Sequence, residues 1–358
     1  MKTIRYDRPF ALNPFETEWV DWGDPVPFIN KKFGSRPEIV CLDPPYRCDW
    51  NKDILEKTVR NNSVLYLRYG SDNHQLKKLF ETCASTNQPR LIVTIDKIRS
   101  VVPIPSNVKI LHTSGMAYQF SKVFDDLNLK PKFKRQVKAL EHPFMLMASN
   151  PDSDRVKVLM MLKALNIPNI LYSSGNVKAE DLQYKTDKIV VNKHQKDLHE
   201  KYLGDKYLKF FTKENFSILP RLLEKCHFHI AMDSNVLDEN YTHFCIAEKH
   251  LQGFTSTTPV IPIWNKAEEQ QMKEWGFRFN NIPSRGEFES KQEAVIRWCK
   301  EILFYYQITK NTDWAQSWQD MQGEDTYHNF KLLKRLHYKI SDDIEQQIEE
   351  LPQEFKSL

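Results

Sequence analysis

Short apolar runs alternate along the chain with segments in which apolar residues recur every three or four positions. In the first third of the chain, the apolar stretches 38–42, 64–67, 91–95 and 108–111 predict buried strands. The spacing of apolar residues within 73–86 predicts a helix. Strands and helices that alternate at this interval are typical of a parallel sheet covered by helices. The pattern therefore predicts an α/β fold.

The same alternation begins again in the second part of the chain. Further strands are predicted at 144–148, 170–171, 188–191, 228–232 and 260–263. Helices are predicted at 153–166, 214–225 and 245–254. A basic stretch with little apolar periodicity, residues 128–142, separates the two halves and is interpreted as a linker. Two such halves predict a pair of Rossmann-like domains that face a central cleft.

The last part of the chain is predicted to be helical. Residues 291–307 are amphipathic, and residues 325–338 carry a basic face. Ser341 has the position of an N-cap for a further, acidic helix with Glu345 near its first turn. The predicted organisation is an N-terminal domain, a C-terminal domain and C-terminal helices, at 1–135, 136–310 and 311–358.

Composition supports a folded protein of more than one domain. At roughly 150 residues per domain, 358 residues predict two domains. Hydrophobic residues make up 41% of the chain and charged residues 27%, which is typical of globular proteins. The net charge of +4 is too small to indicate nucleic-acid binding. The chain has only ten glycines and lacks the glycine motifs of P-loops and dinucleotide-binding folds.

The distribution of cysteines and apolar residues bears on the compartment. None of the six cysteines forms a C-x-x-C pair, which favours reduced thiols over a disulfide framework. The first residues lack the apolar run of a signal peptide, and no stretch has the length of a membrane span. We therefore expect a cytoplasmic protein. A peripheral membrane contact through the basic C-terminal helix stays open as an alternative.

Two strand–turn–helix segments carry the candidate chemistry. The first runs from Ala148 to Arg155, and the second starts at Phe228 and leads to Glu248 and Lys249 at a helix start. Helix N-termini attract anions because their free N–H groups and the helix dipole face the ligand. Arg155 and Lys249 would add positive charge for a diphosphate, and Glu248 would accept hydrogen bonds from a vicinal diol such as a ribose. The alternative is that these are surface charges at helix starts.

His227 and His229 allow a second interpretation. Two residues apart on a strand, their side chains point to the same face, as two metal ligands would. No third ligand lies nearby in the sequence, so ordinary packing is favoured over a metal site.

The two strand–turn–helix segments resemble the signatures of the family-10 glycosyltransferases, the α1,3/α1,4-fucosyltransferases. Residues 144–175 (FMLMASNPDSDRVKVLMMLKALNIPNILYSSG) are similar to the family's strand–turn–helix "VVSNP…R". Residues 228–264 (FHIAMDSNVLDENYTHFCIAEKHLQGFTSTTPVIPIW) are similar to its second signature, "F…FENS…YxTEK…A…PV". The resemblance covers residues 143–265, and the two motifs come in the family's order.

The resemblance implies a GT-B fold with an N-terminal acceptor domain and a C-terminal GDP-sugar domain. It places Arg155 and Lys249 on the diphosphate and Glu248 on the ribose. The remaining donor-binding positions that it implies are Ser149 and Asn150 beneath the nucleotide and Asp233 and Asn235 beside the sugar or phosphates. The sequence departs from the family pattern at Asp233, where the family has glutamate, and at Cys245, where it has an aromatic residue that Tyr241 or Phe244 would have to replace.

The implied reaction is an inverting transfer of a sugar, L-fucose first among the candidates, from a GDP-sugar to a glycan hydroxyl in glycan biosynthesis. No cofactor and no essential divalent metal is expected. Such a transfer requires a base, which we expect from strand ends of the first domain. Asp43 and Asp72 are the candidates, although Asp43 also suits a turn and Asp72 a helix N-cap.

Other functions stay open at this point. One alternative is a GT-B enzyme that uses UDP-xylose, UDP-galactose or another GDP-hexose as the donor, and another is a non-catalytic relative that binds nucleotide or glycan. No nucleic-acid partner is expected, and no membrane span is expected in the chain. The lack of a membrane anchor would distinguish the chain from Golgi-type fucosyltransferases and suit a cytoplasmic enzyme of bacterial or viral type.

Overall fold

The computed structural model of this chain describes the greater part of its second half and several segments of its first half. The described residues are 40–42, 52–67, 73–94, 97–98, 102–131, 135–147, 154–173, 219–232, 243–244, 246, 248–279 and 290–358.

The strands largely coincide with the apolar runs of the sequence. They are β1 (Val40–Leu42), β2 (Val64–Leu67), β3 (Arg90–Thr94), β4 (Lys97–Ile98), β5 (Val108–His112), β6 (His142–Met147), β7 (Leu171–Ser173), β8 (Cys226–Met232), β9 (His243–Phe244) and β10 (Val260–Ile263). The strand predicted at 188–191 lies outside the described residues.

The helices lie between and after the strands. They are α1 (Lys52–Asn61), α2 (Asn73–Ser85), α3 (Gly115–Asp126), α4 (Asp154–Ala164), α5 (Glu248–Gln252), α6 (Lys266–Trp275), α7 (Lys291–Thr309), α8 (Thr312–Glu349) and α9 (Gln353–Lys356). Two 3-10 turns, Val137–Ala139 and Gly253–Thr255, precede β6 and follow α5. Of the helix predicted at 214–225, residues 219–223 are described and helical.

The first four-stranded sheet has the order β1-β2-β3-β5, and all its neighbouring strands are parallel. Every residue of Arg90–Thr94 is buried, as expected for an inner strand of a parallel sheet. Leu65, Ile92 and Val108 pack in one apolar core with Leu76 and Phe80 of α2. Burial of this apolar surface is what fixes the helix against the sheet.

The second four-stranded sheet has the order β10-β8-β6-β7 and is also parallel. Its two inner strands are β6 and β8, and all seven residues of β8 are buried. Phe228 of β8 packs against Tyr305 of α7 with ring centroids 5.1 Å apart, and Trp298 is wholly buried in the same core. The predicted α/β fold with parallel sheets and covering helices is therefore confirmed.

Helix α8 is longer than the sequence pattern predicts. It runs without a break from Thr312 to Glu349, so the prediction that Ser341 caps a separate helix is wrong. The Ser341 hydroxyl instead donates a hydrogen bond of 2.9 Å to the carbonyl of His337, one turn earlier. Leu336, Ile340 and Ile344 are buried at spacings of four residues, and their burial holds this stretch in one helix.

The second part of the basic segment interpreted as a linker, residues 135–142, is built into the fold. Within residues 135–142 the chain forms a 3-10 turn and then enters β6 at His142. Arg135 is buried, and the Val137 amide donates a hydrogen bond to the side chain of Gln316 in α8. A basic segment with little apolar periodicity was expected to be a solvated connection. Arg135 instead donates hydrogen bonds to backbone carbonyls.

The chain divides into two compact units. One comprises Met1–Phe120, Glu239–Ile246 and Leu336–Leu358, and the other comprises Ser121–Asp238 and Ala247–Arg335. The first unit holds the first sheet and the second unit holds the second sheet. Domain limits at 135 and 310 stay a prediction. Among the described helices, none is both long enough and apolar enough to cross a bilayer.

Candidate functional site

The two segments that resemble the family signatures, 144–175 and 228–264, begin on neighbouring strands of the second sheet. Strand β6 pairs with β8 in parallel, with Leu146 opposite Ile230, so the carboxyl ends of both strands lie side by side. From β6 the chain passes through α4 to β7 on one side, whereas β8 lies on the other side of β6. This reversal of strand order is a topological switch point. In open α/β sheets, ligands bind outside the carboxyl ends of the strands at such a point.

Arg155 lies where the sequence predicts a cation for a diphosphate. It is the second residue of α4, in the first turn of the helix that follows β6. Its side chain is only 1% exposed, which overturns the alternative of a surface charge for this residue. A buried guanidinium is retained at a cost in desolvation and is found with partners that keep it charged.

The other predicted donor-binding residues are only partly covered by the structure. Glu248 and Lys249 are the first two residues of α5, as the sequence predicts, but their side chains lie outside what is described. The remaining predicted site residues lie outside the described residues altogether, and they are Asp43, Asp72, Ser149, Asn150, Asp233 and Asn235.

Helix α5 is held in place from its buried side. His250 Nε2 lies 3.4 Å from Glu268 Oε2, and both side chains are 1% exposed. The same Glu268 oxygen accepts a hydrogen bond of 3.1 Å from the Asn265 amide in the capping box of α6. The ring of Trp264 lies 5.4 Å from the His250 ring, centroid to centroid. A helix of five residues has little stability of its own, so these contacts decide where Glu248 and Lys249 lie.

Gly253 fixes how closely the end of α5 approaches the second sheet. A Cβ atom at this position would lie 2.7 Å from His229 Cδ2 and 2.7 Å from Val260 Cγ2. Both distances are shorter than any van der Waals contact, and both neighbours belong to buried strands. The glycine is therefore required for close packing and not for a special backbone angle.

Replacing Gly253 with alanine is expected to lower the free energy of unfolding by about 2 kcal/mol, the usual cost of overpacking a closely packed core. Chemical denaturation followed by tryptophan fluorescence measures the change. Gly323→Ala in the middle of α8 is the control, since alanine favours a helix over glycine. Equal stability of Gly253→Ala and the wild type would contradict this account of α5.

His227 and His229 both lie inside the second sheet. Burial lowers the pKa of each imidazole from 6.5 to about 4, and the charge of Arg135 contributes for His227. Both rings are thus neutral at pH 7. In the part of the chain that the structure covers, no group of three His, Cys, Asp or Glu side chains is arranged to hold a metal ion.

A polar cluster at the carboxyl edge of the first sheet was missed in the sequence. Thr94 and His112 are the last residues of β3 and β5 and stand opposite each other in the parallel register. His112 Nδ1 and Thr94 Oγ1 lie 3.0 Å apart. The sequence predicts a general base at strand ends of this kind. The pattern that could have indicated this pair is a histidine, His112, directly after the apolar run 108–111.

Comparison of the chain with protein-family models, with curated proteins and with solved structures gave no match. Its function is therefore inferred from the signature segments and from the geometry around the two sheets.

Proposed function

We propose that this protein is an inverting glycosyltransferase of the GT-B type that transfers a sugar, L-fucose in the first instance, from a GDP-sugar to a glycan hydroxyl. The observation that carries the proposal is the placement of the two segments that resemble the fucosyltransferase signatures. They follow the adjacent strands β6 and β8 at the switch point of a parallel sheet. The residues that follow β6 and β8 therefore leave the sheet at the same edge, where a donor nucleotide would be bound.

The proposed chemistry follows from the charges at this edge. Departure of the leaving group builds negative charge on the diphosphate, and preorganised cations and helix amides stabilise that charge. Arg155 in the first turn of α4 supplies one cation. Lys249 at the start of α5 supplies the second, and Glu248 beside it accepts hydrogen bonds from the ribose hydroxyls.

The choice of donor sugar depends on Asp233. Asp233 stands where the resembled family has glutamate and is one methylene shorter, so contacts to the sugar differ. Hydrolysis of GDP-fucose, GDP-mannose, UDP-galactose and UDP-xylose under the same conditions separates the donors. A chain that binds GDP but hydrolyses none of these would instead be a non-catalytic binding protein.

GDP is expected to raise the melting temperature of the wild-type protein, and Lys249→Ala is expected to remove most of that shift, because one diphosphate cation is lost. Differential scanning fluorimetry with millimolar GDP measures both. Lys266→Ala is the matched control. Lys266 is the first residue of α6 in the same unit, and its side chain is exposed. Lack of any shift with GDP, UDP and ADP would refute nucleotide-diphosphate binding.

A further inference from the structure

Glu268 is a buried carboxyl group that joins two helices of the second unit. It is the third residue of α6, and its side chain is 1% exposed. Its Oε2 atom accepts a hydrogen bond of 3.1 Å from the Asn265 amide and lies 3.4 Å from Nε2 of His250 in α5, whose side chain is also 1% exposed. Because neither side chain reaches solvent, water cannot take the place of either partner, and the electrostatic contact is stronger than at the surface.

The capping box at the start of α6 sets the orientation of Glu268. Asn265 Oδ1 accepts hydrogen bonds of 3.0 Å from the amides of Ala267 and Glu268, while the Glu268 carboxyl group accepts from the Asn265 amide. Only Trp264 stands between β10 and Asn265 in the chain. The carboxyl group is therefore fixed relative to the second sheet, since the capping box directly follows a strand of that sheet.

Helix α5 takes its position from two contacts that both lead to this sheet. His250, in the middle of α5, contacts Glu268, and its ring lies 5.4 Å from the Trp264 ring, centroid to centroid. Directly after the helix, Gly253 packs closely on β8 and β10. All of these residues belong to the second unit. A helix of five residues has little stability of its own, so the first turn of α5 depends on the contact between His250 and Glu268.

The first turn of α5 carries the two residues that the proposed function places on the nucleotide. Glu248 and Lys249 precede His250 by two residues and by one. A carboxylate that accepts hydrogen bonds from two neighbouring hydroxyls must be held within about 0.5 Å of its productive position, because hydrogen bonds weaken steeply with poor geometry. Recognition of the ribose by Glu248 therefore depends on the buried contact of His250.

We propose that Glu268 is a positioning residue for ribose recognition: through His250 it holds α5 so that Glu248 accepts hydrogen bonds from the 2′ and 3′ hydroxyls of the donor. This inference rests on the proposed glycosyltransferase function. Glu268 contacts neither nucleotide nor sugar in this role. Its loss should therefore weaken the preference for ribonucleotides over 2′-deoxynucleotides, an effect that is separate from any loss of stability.

The experiment measures the Kd of GDP and of 2′-deoxy-GDP by isothermal titration calorimetry and compares their ratio between variants. The wild type should bind GDP about tenfold or more tightly, because the missing hydroxyl leaves Glu248 without one of its donors. Glu268→Met and His250→Phe should each reduce this ratio to about twofold or less, since the lost contact no longer places that acceptor. Glu268→Gln should keep most of the ratio, because its amide oxygen still accepts from the Asn265 amide.

Two control variants separate positioning from loss of stability. Gly276→Ala strains the far end of α6, where Gly276 has a φ of +98°, and should lower the melting temperature while the ratio stays at the wild-type value. Glu269→Gln changes the next residue of α6, which pairs with Lys273 of the same helix, and should leave the ratio unchanged. A partly unfolded population reduces binding of both nucleotides equally and does not change their ratio.

The double variant His250→Phe/Glu268→Met should lose no more of the ratio than either single variant, because both substitutions remove the same contact. If Glu268→Met does not fold, His250→Phe tests the same contact and keeps an aromatic ring beside Trp264. A wild-type ratio in these variants overturns the inference and leaves the proposed function intact. Equal affinity of the wild type for GDP and 2′-deoxy-GDP also overturns the inference, since the ribose is then not recognised. Failure to bind GDP, UDP and ADP is the separate result that refutes the proposed function and the inference with it.

Discussion

Replacing Arg135 with methionine is expected to lower the free energy of unfolding by about 3 to 5 kcal/mol, because several buried acceptors lose their donor at once. Arg135 donates to the carbonyls of Leu223, Glu224 and Cys226 and, at 3.0 Å, to Gln319 Oε1 in α8. Loss of the guanidinium would leave the backbone carbonyls without these donors in a buried place, and each lost bond costs about 1 kcal/mol or more.

The charge of Arg135 adds to this effect. Burial lowers the pKa of the guanidinium to about 10, so the group remains protonated at pH 7. Two of its acceptors, the carbonyls of Leu223 and Glu224, lie at the carboxyl end of the described helical turn at 219–223, where the helix dipole attracts a cation. The arginine therefore joins the end of that helix to the start of β8 and to α8.

Urea denaturation followed by tryptophan fluorescence measures the change for Arg135→Met. Lys138→Met is the matched control, because Lys138 lies in the adjacent 3-10 turn and is exposed. Arg135→Lys should recover only part of the stability, since an ammonium group cannot bind all four acceptors of the planar guanidinium. A loss below 1 kcal/mol for Arg135→Met would mean that the network is not important for stability.

The free energy of unfolding is expected to fall by about 2 kcal/mol between pH 7 and pH 5 because of His229 alone. Burial lowers the pKa of this imidazole from 6.5 to about 4 in the folded chain, although a hydrogen bond to the Met145 backbone opposes part of the shift. Below pH 6.5 the unfolded chain binds a proton on His229 that the folded chain does not bind. The contribution of His229 to the free energy of unfolding is therefore fully present above pH 6.5 and is lost progressively as the pH falls towards 4.

The test compares the pH dependence of unfolding in the wild type and in His229→Gln. The variant has no ionisable group at this position, so its stability should fall less steeply between pH 7 and pH 5, whatever its absolute stability. His142→Gln, at the start of β6, is the control for loss of a histidine that is not fully buried. Parallel curves for the wild type and His229→Gln would show that His229 accepts a proton in the folded state.

The elements of this fold were largely readable from the sequence because each buried strand is a local apolar run. Strands β2, β3, β5 and β10 all lie within one or two residues of their predicted positions. The helix α8 was not predicted as one helix, because Ser341 followed by acidic residues has the pattern of a cap. Burial of Ile340 and Ile344 against the core outweighs that local preference.

The candidate site was only partly predictable, because contacts between distant segments leave no local pattern in the sequence. Arg155 and Lys249 were predicted from the charge and position that a diphosphate needs, and the structure confirms that each stands in the first turn of a helix. Arg135 was assigned to a linker, because the residues next to it in the sequence give no sign that it binds three backbone carbonyls of a distant turn. His112 was missed because Thr94 and Gln347, which fix it, are 18 and 235 residues away in the chain.

The sequence by itself determined the α/β class, the places of most strands and the positions of Arg155 and Lys249 at helix starts. These follow from local apolar periodicity and from the charge of single side chains. Only the tertiary structure decided that β6 and β8 are neighbours, that Arg135 and Arg155 are buried, and that His112 meets Thr94. Those facts depend on strand order and on contacts between distant segments, which are set by burial of the whole sheet and not by any short stretch of sequence.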